Sequence, residues 1–246
     1  MASNHQNSSN FIEQIQDNSF NIIDAIINHP YLYALEKKEI PKEKLEIFVC
    51  EQYHIISNDR RNFAFMISKA SCDVASKLFN DCLDAEVNAL ANLKIMADEL
   101  VVDKGKIEAY EQLAGCQAYT NYLTRLSAYG SDAEVLAALL IDLPVWGANC
   151  SKMSSILKKN YDFTDNSLVF LDKFASPLPE DFVSKSKELI DSTIPQSHKS
   201  LCAAARLILD YELSFWDIRR VQIFKKFSRT IESVSVHIKM SANVGI

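Results

Sequence analysis

Six polar side chains fall where amphipathic helices should present apolar ones: Gln52, Asp59, Glu86, Tyr119, Asp142 and Glu212. Leu45, Phe48, Ile55, Phe63 and Met66 recur at helical spacing around the first two. Leu78, Phe79, Cys82, Leu90, Leu93 and Met96 do the same around Glu86, and Cys116 and Leu123 flank Tyr119. Val135, Leu139, Trp146, Cys150 and Met153 surround Asp142, while Leu201, Ala205, Ile208, Phe215 and Ile223 surround Glu212. A carboxyl facing a core is costly unless it is paired, hydrogen-bonded or protonated. Two readings stand. The carboxyls converge on one polar pocket with aromatic walls, the usual form of a small-molecule site between helices, or they belong to separate ion pairs, Asp59 with Arg60 or Arg61.

Pro144, two residues after Asp142, removes a helical N–H and frees the carbonyl of Leu140 one turn back. That carbonyl either accepts from a ligand or water, or marks a bend that wraps the helix round the core. Bundles hold di-metal carboxylate sites with Glu and Glu-x-x-His pairs, and an all-carboxylate site stays open as the alternative. The histidines are His5, His29, His54, His198 and His237, none three or four residues from Glu86, Asp142 or Glu212. No metal is expected. The cysteines, Cys50, Cys72, Cys82, Cys116, Cys150 and Cys202, show no C-x-x-C spacing and read as reduced, mostly buried thiols.

Long helices must carry these residues. Only five glycines and six prolines occur in 246 residues, and five of the prolines (Pro30, Pro41, Pro177, Pro179, Pro195) stand where helices should start or stop. The pattern predicts helices at 10–28, 42–70, 72–101, 106–129, 132–158, 180–193 and 198–226, with no strand layer and no repeat. Ser131-Asp132-Ala133-Glu134 is a capping box opening the fifth. Residues 159–179, with Phe163, Phe170 and Phe174, read as a packed cap over one bundle end. Residues 1–9 read as a disordered tail and 227–246 as a partly helical one. A net charge of −6 offers no basic footprint for nucleic acid. No apolar run is expected to span a bilayer and the polar start lacks signal-peptide character, so the expected setting is cytoplasmic.

Three segments carry a family resemblance. His29-Pro30, Ile40-Pro41 and Phe48-Val49-Cys50-Glu51-Gln52-Tyr53 resemble the opening of TenA/thiaminase II proteins. Ala118-Tyr119-Thr120 with Asp132 to Leu140 is similar to the family's middle motif, and Tyr211-Glu212-Leu213-Ser214-Phe215-Trp216 to its Glu-containing motif. The resemblance, over residues 10–226, implies a single-domain, all-α, heme-oxygenase-like bundle, a homo-dimer or homo-tetramer with a central pocket that hydrolyses a thiamin-related aminopyrimidine. It places the family's essential Glu on Glu212 and its inward Tyr on Tyr119. Asp142 stands where the bacterial family has a nucleophilic Cys, Gln52 where it has a pyrimidine-binding Asp, and Trp146 and Phe174 where tyrosine is usual.

The resulting expectation is a cysteine-independent C–N hydrolase for thiamin salvage, without a cofactor. Glu212 acts as general acid and base, and Asp142 activates water or holds the substrate amino group. Gln52, Glu86 and Tyr119 contact the ring, with Trp146, Phe215 and Phe174 as aromatic surface. Two alternatives remain open: a CADD-like metal-dependent oxidoreductase, for which Glu86 lies near a ligand position, and a non-catalytic ligand-binding relative.

Overall fold

The computed structural model describes the backbone of residues 8–242 and the side chains of residues 11–217. Helices follow in the order α1 (Ser8–Asn18), α2 (Phe20–Ile27), α3 (Pro30–Glu36), a 3-10 turn (Lys42–Leu45), α4 (Glu46–Lys69), α5 (Asp73–Glu99), α6 (Lys104–Ala109), α7 (Ala114–Tyr129), α8 (Asp132–Asn160), α9 (Asp165–Ala175) and α10 (Glu180–Ala242). Among the described residues no strand forms. The expected tail 1–9 lies mostly outside the described residues, as do the side chains of 227–246.

Helix α8 is the axis of the bundle. It packs against α10, α9 and the N-terminal helices, while α4 pairs with α5 and α7 beside it. Its core residues lie all round the helix, including Val135, Leu136, Leu139, Leu140, Trp146 and Met153. By length and apolarity α8 does pass as a membrane-crossing helix, contrary to the expectation from the sequence. Of its most apolar window, 72% is buried inside the bundle, as befits a core helix. The capping box forms as expected: Glu134 N–H donates to Ser131 Oγ (3.2 Å) and Ser131 N–H to Glu134 Oε2 (2.6 Å).

Five boundaries differ from the sequence reading. The expected 10–28 helix is divided at Ser19, between α1 and α2. Pro30 starts a helix instead of ending one. It occupies the first turn of α3, where His29 caps by accepting Tyr31 N–H at Nδ1 (3.1 Å). The expected 106–129 helix is broken at residues 110–113, because buried Glu51 draws in Tyr110 Oη–H and Leu113 N–H, each at 2.7 Å. Residues 159–179 hold the short helix α9, capped by Thr164. Pro195 does not divide α10. Its ring is exposed, and Ile190, Ile194, Leu201 and Ala205 bury both flanks, so packing outweighs the ~3 kcal/mol that an interior proline costs.

One glycine sets how closely α9 approaches α8. A Cβ at Gly147 would lie 2.6 Å from the backbone oxygen of Phe174, a clash that moves backbone. Gly147→Ala should therefore cost about 1–3 kcal/mol in urea unfolding. It should also disturb the Trp146–Phe174 ring contact, read by near-ultraviolet circular dichroism. Wild-type stability in the variant would contradict the close approach.

Candidate active site

Four helices each deliver one carboxyl to the middle of the bundle: Asp59 from α4, Glu86 from α5, Asp142 from α8 and Glu212 from α10. Together with Gln52, Tyr119, Trp146, Phe174 and Phe215 they line one pocket. All eight residues expected at the site from sequence are therefore brought together, and no arrangement of separate ion pairs forms. Three liners were not anticipated as such: Ile55, Ile56 and Leu143. The first two lie between Gln52 and Asp59 on one face of α4, so the i, i+3, i+4 spacing already held that information.

Asp142 and Glu212 are 1% and 2% exposed and hydrogen-bond to one another. Burial pushes Glu212 well above the usual carboxyl range, and the Asp142 charge and hydrogen bond push it further. Burial raises Asp142 to about 6, held back by its hydrogen bonds from Glu212 and from Tyr119 Oη–H, the latter at 3.0 Å. The pair titrates as a unit, and Glu212, raised both by burial and by Asp142, is the member that favours the proton. Trp216 Nε1–H donates to Glu212 Oε1 at 3.3 Å. Asp142 Oδ1 and Glu212 Oε2 take no hydrogen from any other described group, which suits two carboxyls that share one.

Asp59 does not pair with Arg60 or Arg61. Its Oδ1 accepts from Thr120 Oγ1 and from Asn62 Nδ2 (3.3 Å), while burial, against these bonds, raises it to about 7. Glu86 is half-buried and raised by desolvation and by Asp59. Trp146 gathers the aromatic wall: Phe48 stacks on it at 6.4 Å, and Phe174 (6.0 Å) and Phe215 (5.6 Å) meet it edge-on. Pro144 sits inside an unbroken α8 with its ring exposed.

No cysteine lines the pocket. Cys82 lies in the adjoining groove, and burial with the Glu86 charge keeps its thiol protonated. None of the six cysteines forms a disulfide, but only Cys50, Cys116 and Cys150 are buried, and Cys72 is exposed. Among the described residues, no three His, Cys, Asp or Glu side chains converge as metal ligands.

The fold and this acid-lined pocket define a helical bundle of the heme-oxygenase-like class. Heme oxygenase-1 from the cyanobacterium Synechocystis, solved in complex with heme, shares it with a TM-score of 0.66. The match is 13% identical and covers 92% of this chain and 99% of that one. The chain belongs to the TENA/THI-4/PQQC family, whose sequence profile matches residues 17–221. A TenA homologue from Pyrococcus furiosus superposes with a TM-score of 0.67 at 20% identity, over 85% of this chain and 99% of its own. An aminopyrimidine aminohydrolase from Halalkalibacterium halodurans is 26% identical over 131 residues, which is 53% of this chain and 58% of that protein.

The raised Asp59 has a measurable consequence for stability. Its folded value, about 7, exceeds its ordinary 3.8, so the folded protein holds the proton more tightly than the unfolded chain. The contribution is complete below about pH 4 and lost as pH rises through about 7. Asp59→Asn keeps an acceptor for Thr120 and cannot ionise. Its stability relative to wild type should therefore improve as pH rises from about 4 to about 8, measured by urea unfolding at several pH values. A difference that stays flat across this range would remove the raised Asp59.

Proposed function

We propose that this protein is a cysteine-independent hydrolase that cleaves a C–N bond of a thiamin-related aminopyrimidine. The observation that carries the reading is the buried Asp142–Glu212 pair, both carboxyls raised by burial and Glu212 raised further by its partner, in an aromatic-walled pocket. The aminopyrimidine aminohydrolase relative supports the substrate class. The absence of a lining cysteine supports direct attack by water.

In this reading the ring lies against Trp146 and Phe215, with the Gln52 amide and Tyr119 within the same pocket to address its nitrogens. Asp142, oriented by Tyr119, accepts a proton from water as the water oxygen bonds to carbon. Glu212 gives its proton to the leaving nitrogen as the C–N bond breaks. The proton gained by Asp142 then passes to Glu212 across their hydrogen bond, restoring the starting state. No proton has to enter or leave during the cycle. Such a site operates while Glu212 is protonated and Asp142 ionised, so the rate should rise through about pH 6.

Glu212→Gln fills the same space but has no carboxyl proton to give. Turnover of an aminopyrimidine should fall about 10²–10⁴-fold with the fold intact. Asp142→Asn should also slow turnover if Asp142 activates water, and should mainly raise KM if it only holds the ring. Melting temperature and turnover measured on the same variants separate these roles from simple support of the core. A stable Glu212→Gln protein with wild-type turnover ends the proton-donor role.

A further inference from the structure

The pocket adjoins a wider groove with which it shares part of its lining. Its walls come from α5 (Asn88, Asn92), α8 (Pro144, Ser151) and the connection from α9 to α10. Pocket and groove share Asp59, Glu86, Tyr119, Leu143 and Phe174. Asp59 and Glu86 thus stand at the junction, two carboxyls supplied by the packed pair α4 and α5. Among the described residues, no Lys, Arg or His lines the inner pocket, and Lys173 is the groove's one cation.

Two side chains present polar atoms to this space that bond to no described residue, Asp59 through one carboxyl oxygen and Gln52 through its amide. Asp59 is 4% exposed and takes both internal hydrogen bonds on Oδ1, so Oδ2 has none from any described residue. Gln52 is 5% exposed and lines the pocket, yet its amide bonds to no described residue. The two share one face of α4 and lie seven residues apart, about 10 Å along the helix. That separation is the length of an aromatic ring with a short side arm.

We propose that Asp59 and Glu86 form a cation subsite at the pocket mouth. A bound molecule places its ring beside Gln52 and Trp146 and an ammonium or amidinium group on the two carboxyls. Two neighbouring carboxyls, one buried and one half-buried, repel each other when ionised, and a cation in charge-assisted contact with both relieves this. The groups that face Asp59 are Glu86 and Tyr119, Thr120 and Asn62, Asp142 and, beyond it, Glu212; Arg60, next in sequence, is the cation felt by Glu86. An arriving cation draws the carboxyls to their ionised forms and releases protons. Affinity for it should therefore rise with pH until Asp59 is ionised in the free protein, at about 7.

The subsite rests on the same pocket as the hydrolase reading but not on hydrolysis, so binding tests it. Phenylalkylamines with one to three methylenes would be compared by calorimetry with the matching alcohols, on the full chain, at about pH 6 and about pH 8. The best amine should bind about tenfold tighter than its alcohol, with the preference larger at the higher pH. Asp59→Asn with Glu86→Gln should reduce the preference to about twofold and leave alcohol affinity unchanged, which also reports an intact pocket. Glu86→Gln alone, at a half-buried position, should give part of the effect without a folding penalty. Equal affinity for amine and alcohol in the wild type overturns the subsite, as does a preference that survives both substitutions. A preference lost in Asp142→Asn and kept in the double variant places the cation on the inner pair and overturns it equally. The amine-to-alcohol ratio is read without turnover, so loss of turnover in Glu212→Gln bears on the hydrolase reading alone.

Discussion

Two carboxyls buried side by side cannot both be charged, and the geometry around Asp142 and Glu212 follows from that constraint. A lone ion in this interior would be strongly disfavoured, whereas one proton held between two carboxyls leaves a single charge spread over a hydrogen bond. That charge is fixed on the Asp142 side by Tyr119, and the neutral partner is held by Trp216. Three long helices must therefore meet in register: α7 for Tyr119, α8 for Asp142 and α10 for Glu212. The aromatic cluster round Trp146 supplies the dry, rigid packing that keeps them there, with Phe48, Phe174 and Phe215 against one indole.

The pocket was legible in the sequence because buried helices advertise their exceptions. A carboxyl on an otherwise apolar stripe has few places to go, and Glu86, Asp142 and Glu212 each stood on such a stripe. Asp59 was harder, since Arg60 and Arg61 beside it offered an apparent partner. The structure gives it Thr120 and Asn62 instead, and only the docking of α7 against α4 could show that. Glu51 went unnoticed as an organising residue. Its three donors, from Tyr110, Leu113 and Gln117, come from some sixty residues away, and no spacing rule links them.

The misplaced boundaries share one cause, the local reading of proline and of apolar runs. Pro30 and Pro195 carry the same local signal as Pro41, yet one begins α3 and the other lies inside α10. In α10 the burial of residues on both sides of Pro195 decides the outcome, and that burial exists only once α8 is present. The break between α6 and α7 is the converse case. Residues 106–129 have enough apolar periodicity for one helix, and the pull of Glu51 on Tyr110 and Leu113 interrupts it. Tertiary contacts override local propensity in both directions.

The route by which a proton moves in such a site is set by what surrounds it. Asp142 is coupled through space to Asp59, and Asp59 to Glu86, so the carboxyls form a file from α10 across α8 and α4 to α5. Only the last of them is half-exposed. Charge added at the outer end raises the proton affinity of each neighbour inward, and a cation bound there lowers it. The outer pair therefore acts on the protonation of the inner pair from a distance. In the proposed reading, a substrate whose cation occupies the junction favours an ionised Asp142, the form that takes a proton from water, at the moment the ring is in place. Binding at one end of the file and acid–base readiness at the other are then two readings of the same electrostatic balance.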